Sequence, residues 1–264
     1  MKLLLDIGNT RIKWALQHAG ARQAVFSAHG DVRRAGRSGD AIASLCAAVK
    51  DGLAEGAHSS GGGLISVTAT NVGGQSFGDA MAVGLQQQFG LSPDFIKSES
   101  WGFGLRNGYS DVSQLGVDRW VAMLAATQAD GRDFCIVDAG TAVTIDYVDA
   151  EMAHQGGLIF PGLRLMRHAL FAGTGDIEDF AAKTVTPEDS VLLLGKTTDA
   201  ALRSGALQST VGAVQRVFSS GTESCRLIVT GGDGLRLLPL LAEYEPDYRP
   251  LLVLEGVSRL AVAA

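Results

Sequence analysis

The 264-residue chain predicts an α/β protein made of two duplicated lobes with a cleft between them. Apolar runs of strand length alternate with longer stretches of helical period, the pattern of a sheet covered by helices. An apolar run ending in Asp-x-Gly occurs twice, as Leu3-Leu4-Leu5-Asp6-Ile7-Gly8 and as Cys135-Ile136-Val137-Asp138-Ala139-Gly140. Asp138 follows Asp6 by 132 residues, half the chain, which suits a duplicated domain and not a solenoid of roughly 20- to 50-residue repeats.

Each element follows in order. The first strand runs into Asp6, and a β-rich run resumes at 12–16. Helical period covers 41–53, a buried strand spans 64–67 and ends in polar 68–71, and a second helix covers 77–89. The turn-rich Asn107-Gly108-Tyr109-Ser110-Asp111 marks the boundary, dividing the chain into 1–115 and 116–264. An amphipathic run over 118–129 follows, then strands at 134–138 and 143–148 and a glycine-rich turn over 156–162. Helices at 163–171 and 198–218, a strand at 227–230 and a turn over 231–234 complete the second lobe. The closing helix, over 256–263, is expected to pack across the lobes.

Composition narrows the class of function. Hydrophobic residues make up 46% and charged residues 19%, the balance of a folded chain with a sizeable core. A formal net charge of −6 supplies no positive field for nucleic acid or anionic lipid, so neither is the expected partner, and Arg33, Arg34 and Arg37 read as a solvated loop face. No apolar run approaches a membrane span, and the opening Met-Lys-Leu-Leu-Leu-Asp breaks off after three apolar residues, short of a signal-peptide core. Cys46, Cys135 and Cys225 have no ligand-like spacing, and their odd number argues against a disulfide framework; a reducing cytoplasm is the expected setting.

A phosphate-handling site needs backbone donors in a tight turn, a carboxylate and a positive charge. Asp6-Ile7-Gly8-Asn9-Thr10-Arg11-Ile12-Lys13 holds all three within eight residues. Gly8 permits a tight turn, Asn9 and Thr10 offer side-chain donors, and Lys13 can reach back from the next strand. The same residues would also make a plain β-hairpin whose polar side chains satisfy turn amides. Two familiar phosphate motifs fail: the run ending Gly195-Lys196-Thr197 has Ser190 where a P-loop needs glycine, and the dinucleotide pattern begun at Gly232 and Gly234 meets Leu237 at its third glycine. The 231–234 segment reads instead as a flexible turn for a nucleotide's base or ribose.

These hairpins, with Leu115-Gly116-Val117-Asp118-Arg119-Trp120, Asp138-Ala139-Gly140-Thr141-Ala142, Gly156-Gly157-x-Ile159-x-Pro161-Gly162, Gly195-Lys196-x-Thr198 and Thr230-Gly231-Gly232, resemble the type III pantothenate kinases. The matches keep their order from residue 3 to about residue 232. The resemblance implies an actin-like ATPase fold, ribonuclease H-like in each lobe, and transfer of the γ-phosphoryl of ATP to the primary hydroxyl of pantothenate, the entry to coenzyme A. Another actin-like phosphotransferase or phosphatase, or a nucleotide-binding regulator without catalysis, is the alternative.

Residue roles follow from the same resemblance. Asp118 is the implied base, although as the residue opening a helical run it would also serve as an N-cap. Arg119 is implied to bind the pantothenate carboxylate with its guanidinium fork, where a surface ion pair is the plain alternative. Tyr109, Gly116, Val117 and Thr198 complete the implied pantothenate contacts, with Thr198 also suited to capping a helix. Asp6, Gly8, Asn9, Thr10, Lys13 and Thr141 are implied to hold ATP. Asp6 would organise Mg²⁺, mostly through water, and Asp138 would hold a monovalent cation, K⁺ or NH₄⁺. A homodimer is the implied assembly. Ser110 to Ser113 hold no proline where the family usually has one, and 171–190 matches the family pattern poorly.

Overall fold

β1 (Lys2–Ile7) is buried along nearly its whole length because it lies in the middle of a sheet, with β2 (Arg11–Gln17) antiparallel on one side and β4 (Ser66–Asn71) parallel on the other. The computed structural model describes residues 1–21, 23–56, 63–128, 131–173 and 194–263. β3 (Phe26–Arg33) and β5 (Pro93–Phe95) complete the first sheet in the order β3-β2-β1-β4-β5. A two-stranded ribbon of β6 (Trp101–Gly102) and β7 (Leu105–Arg106) stands apart.

The second sheet repeats the first. β8 (Phe134–Ala139) is its centre, with β9 (Ala142–Val148) and β10 (His154–Pro161) antiparallel in succession and β11 (Arg226–Thr230) and β12 (Asp247–Tyr248) parallel. The order β10-β9-β8-β11-β12 has the same connectivity and directions as the first sheet. Thr70 stands opposite Asp6 and Thr230 opposite Asp138, so the echo in sequence is an echo in register.

By contacts the described chain forms two compact units, one of 1–100, 110–125 and 251–264, the other of 101–109 and 126–250. The expected boundary at 115/116 falls within the 110–125 segment of the first unit, and that unit also holds the closing helix.

Side-chain alternation along β1 decides what each face does. Leu3, Leu5 and Ile7, with Ile12, Trp14 and Leu16 of β2, pack against α1 (Ser38–Gly56) through Ile42, Leu45 and Val49 and against α2 (Gln75–Phe89) through Phe77, Met81 and Leu85. α2 stops at Gly90, left-handed at φ 70°, whose N–H returns to the Gln86 carbonyl. Lys2, Leu4 and Asp6 point the other way, toward α7 (Leu252–Ala263): Lys2 Nζ donates to the Ala261 carbonyl at 2.5 Å, and Gln17, opposite Lys2, donates to Ser258 at 2.7 Å. α3 (Val117–Ala126) lies close against α7, where a Cβ on Gly256 would stand 2.2 Å from the Val121 carbonyl, and Arg259 donates to the Leu124 carbonyl at 2.6 Å.

In the second unit Cys135, Val137 and Ala139 pack against Leu163 of α4 (Leu163–Gly173) and against Leu207, Val211 and Val214 of α5 (Thr198–Phe218). Asp138 alternates to the opposite face, as Asp6 does in the first unit. All three cysteines are buried with free thiols. Burial pushes each thiol's pKa up, to about 12 for Cys225 with Asp133 adding to the effect.

Two local readings need correcting. The 156–162 segment is not a turn but the end of edge strand β10 and the residue after it; an edge tolerates Pro161 because a missing N–H there leaves no ladder bond unmade. Gly156, at φ 113°, sits at the register shift that begins that strand. The 231–234 turn is pinned rather than loose, for Asp233 N–H donates to the Ala139 carbonyl at 2.9 Å and Gly234 opens α6 (Gly234–Leu237). The 118–129 helix ends at Ala126 in the structure, and residue 129 lies outside the described residues, as does 174–190 of the poorly matching stretch.

Candidate active site

Asp6, next to last in β1, lies on the α7 side of the first sheet, where only a tenth of it is exposed. Its Oδ1 accepts the Thr70 hydroxyl at 3.0 Å, and Lys13 is its cross-strand neighbour. Burial raises its pKa, while Lys13 and then Thr70 pull it back down. The turn that follows is closed by Gly8 N–H to the Arg11 carbonyl at 3.0 Å and leaves Asn9 and Thr10 exposed. Asp6 and Lys13 are therefore cross-strand neighbours, an acid and a base beside the turn that carries Gly8, Asn9 and Thr10.

Arg34 was not among the expected site residues, and the reading of it as part of a solvated face is wrong. It leaves the end of β3, half-buried, with its guanidinium 3.6 Å above the Phe77 ring. Nη1 donates to the Gly8 carbonyl at 2.5 Å and Nη2 to the Gly73 carbonyl at 3.2 Å. Arg33 and Arg37 are exposed, as expected.

α3 carries Gly116, Val117, Asp118 and Arg119 at its start. The helix begins at Val117, and Trp120 N–H bonds the Gly116 carbonyl at 3.0 Å, so Asp118 lies in the first turn and is not the N-cap. Its Oδ1 accepts the Arg119 amide at 2.8 Å. A Cβ at 116 would come within 2.8 Å of that oxygen and push the Asp118 carboxylate from its place. Arg119 is 6% exposed, which rules out the plain surface ion pair. Because α3 packs on α7 and α7 covers the Asp6 face, both groups belong to the same side of the first sheet.

Tyr109, Asp138, Thr141 and Thr198 are in the second unit. The Tyr109 ring stacks on His154, centroids 5.7 Å apart and planes within 10°, and its N–H donates to Asn107 Oδ1 at 3.0 Å. His154 is buried and paired through Nε2 with buried Asp146 at 2.9 Å. Asp138 is half-buried and Thr141 exposed. Thr230 Oγ1, on the strand beside Asp138, is buried and makes no hydrogen bond among the described residues. An added Cβ on Gly231 (φ 88°) would lie 2.4 Å from the Ala139 carbonyl oxygen and 2.5 Å from Asp138 Oδ1, so oxygen atoms crowd this corner. Thr198 is the exposed first residue of α5; the cap is Thr197, whose hydroxyl accepts the Ala200 N–H at 3.1 Å.

Among the described residues no three His, Cys, Asp or Glu side chains gather as a metal cluster. A single carboxylate beside an exposed polar turn fits Mg²⁺, an ion that keeps much of its water and takes few protein ligands. The carboxylate of Asp138 and the buried hydroxyl of Thr230 are the hard oxygen donors that a monovalent cation takes.

Comparison with known proteins identifies the family. The family model described as type III pantothenate kinase matches residues 2–220. A type III pantothenate kinase of Nitrosococcus oceani is 36% identical over 99% of this chain and 94% of its own length. One from Azoarcus sp. strain BH72 is 34% identical over 100% of this chain and 91% of its own. Among solved structures, the activator of the 2-hydroxyisocaproyl-CoA dehydratase from Clostridium difficile with bound ADPNP superposes with a TM-score of 0.53 at 11% identity, covering 99% of this chain and 94% of that one. The ethanolamine utilization protein EutJ from Carboxydothermus hydrogenoformans gives 0.54 at 13% identity, covering 98% and 89%. These likenesses establish the fold, the duplicated actin-like ATPase architecture.

Proposed function

The chain belongs to the type III pantothenate kinase family, and from that premise we propose how its own residues transfer the γ-phosphoryl group of ATP to pantothenate, the first step toward coenzyme A. One observation carries the assignment of roles: the Asp6 cluster and the Gly116–Arg119 motif are borne by one unit on one side of its sheet.

The backbone of the turn at Asn9 and Thr10, which Gly8 lets approach closely, and the side chains of Asn9, Thr10 and Lys13 hold the β- and γ-phosphates, with Thr141 a further ATP contact. Asp6 would hold Mg²⁺, mostly through water, and the ion would supply charge neutralisation at the phosphate oxygens. Asp118 accepts the proton of the pantothenate hydroxyl as that oxygen attacks phosphorus. Its place in the first turn of α3 favours the ionised form a base requires, since the helix dipole stabilises a negative charge there.

Arg119 takes the pantothenate carboxylate on its fork, aided by Tyr109, the backbone of Gly116 and Val117, and Thr198. The position of Arg119 beside Asp118 in the first turn of α3 supports this, since it puts the fork on the same helix end as the proposed base. Asp138 with Thr230 holds the monovalent cation, K⁺ or NH₄⁺. No described helix is long and apolar enough to cross a membrane. Exposed Leu158 and Ile159 on edge strand β10 and exposed Leu170 on α4 suit a homodimer face, which a purely monomeric sedimentation profile at micromolar concentration would remove.

The test is an ADP assay with ATP, Mg²⁺, K⁺ and pantothenate. ADP that depends on pantothenate supports the reading. ADP formed only with sugars assigns another phosphotransferase of this fold, and nucleotide binding without turnover assigns a regulator.

A further inference from the structure

Arg34 has no counterpart across the duplication, and that difference is informative. The residue after β3 and the residue after β10 occupy the same place: Arg34 N–H donates to the Thr10 carbonyl at 2.8 Å, and Gly162 N–H donates to the Thr141 carbonyl at 3.0 Å. Both backbones tie the end of the third strand of their sheet to the turn after its Asp-x-Gly. In the second unit the residue is a glycine with no room for more, since a Cβ there would stand 2.3 Å from the Gly140 carbonyl oxygen. In the first unit the same place sends out a guanidinium.

That guanidinium spans two turns, bonding the Gly8 carbonyl after β1 and the Gly73 carbonyl after β4, and Phe77 supports its flat face. Fixing the Gly8 carbonyl fixes the plane of the Gly8–Asn9 peptide. In a trans peptide the N–H points opposite to the C=O, so a donor held on one side aims the Asn9 N–H at the other. The backbone bond to Thr10 fixes the far end of the same turn. A fold that merely needed its strands tied together has the backbone bond for that purpose, as the second unit demonstrates.

We infer that Arg34 is a positioning residue for nucleotide phosphate: its fork orients the turn of residues 8–10 so that the turn's amides meet the phosphate oxygens of ATP. The inference rests on the reading of that turn as the ATP phosphate site. Gly73 belongs to the same device, because a Cβ on it would lie 2.0 Å from Arg34 Nη1 and displace the fork from its seat without altering its charge.

The experiment measures binding of Mg²⁺-ATP by calorimetry, with thermal unfolding of the apo protein, for wild type, Arg34→Gln, Arg34→Lys, Gly73→Ala and the Arg34→Gln/Gly73→Ala double variant. Steady-state assays supply the KM for ATP and for pantothenate. Each single variant is expected to weaken ATP about tenfold or more and leave the pantothenate KM unchanged, with lysine failing to rescue because one ammonium cannot serve both carbonyls. The double variant is expected to lose no more than Arg34→Gln alone, the mark of two residues acting through one contact.

Unchanged ATP affinity in folded Arg34→Gln, full rescue by lysine, or additive losses would each overturn the proposal. Should Arg34→Gln not fold, Gly73→Ala decides, since unaltered ATP affinity there is equally fatal. Wild-type protein that binds ATP but ignores pantothenate defeats the kinase reading and leaves the Arg34 measurement intact. Wild type that binds no ATP overturns both.

Discussion

Thr70 donates its hydroxyl to Asp6 from the neighbouring strand at 3.0 Å, and this one bond is most of what the buried carboxylate receives from uncharged groups. Burial outweighs Thr70 and Lys13 together, so the folded protein holds the Asp6 proton more tightly than the unfolded chain does. The sign follows. A folded pKa above the ordinary value near 3.8 means that stability falls as pH rises from about that value through the folded pKa, and the cost persists above it. Asp6→Asn keeps an oxygen for Thr70 and removes the charge. Its apo melting temperature is expected to match or exceed that of wild type at pH 7, the difference closing toward pH 4, while kinase activity falls at least about 100-fold. A variant less stable than wild type at pH 7 would show that Asp6 is held for the fold.

Asp118 and Arg119, adjacent in sequence, are expected to fail differently. Asp118→Asn should lower kcat by roughly 10²- to 10⁴-fold with little change in the KM for ATP, the loss typical of a general base. Arg119→Lys should leave kcat within a few-fold and raise the pantothenate KM about tenfold or more, because an ammonium lacks the planar fork. Steady-state kinetics with each substrate varied separate the two. A kcat near wild type in Asp118→Asn would remove that carboxylate from the role of base.

Thr230→Val tests the cation corner. The hydroxyl makes no hydrogen bond among the described residues, so its replacement by a methyl of the same shape should leave the apo melting temperature unchanged or raise it. The K⁺ concentration for half-maximal activity should rise several-fold. Identical K⁺ titration curves for the two proteins would remove Thr230 from the cation site.

Much of this architecture can be read before any coordinates. β1 and β8 are legible because a central strand buried on both faces is a continuous apolar run, and each has its aspartate one residue before its end, where the turn follows. α2 and α5 stand within two residues of their predicted spans, since long helices display their period many times over. β3 and β10 escape notice because they are outer strands: Phe26–Arg33 alternates half-buried with exposed positions, and His154–Pro161 contains two glycines and a proline that signal a turn.

At the site, the Asp6 cluster is local in sequence and legible for that reason. Arg34 meets Gly8 across 26 residues and Gly73 across 39, and a run of arginines gives no sign of which one turns inward. The His154–Asp146 pair behind Tyr109 is likewise formed only by pairing β9 with β10. What could have singled out Arg34 is its position, the residue after the third strand, set beside the glycine at the equivalent point of the second half.

Finally, the three buried thiols make the chain its own recorder of opening. A thiol shielded from reagent and held protonated reacts only when its surroundings come apart, so the rate of alkylation in dilute iodoacetamide counts excursions of Cys46 in one unit and of Cys135 and Cys225 in the other. Mass spectrometry of the labelled peptides would then time the loosening of each half separately, with and without nucleotide, in unmodified protein.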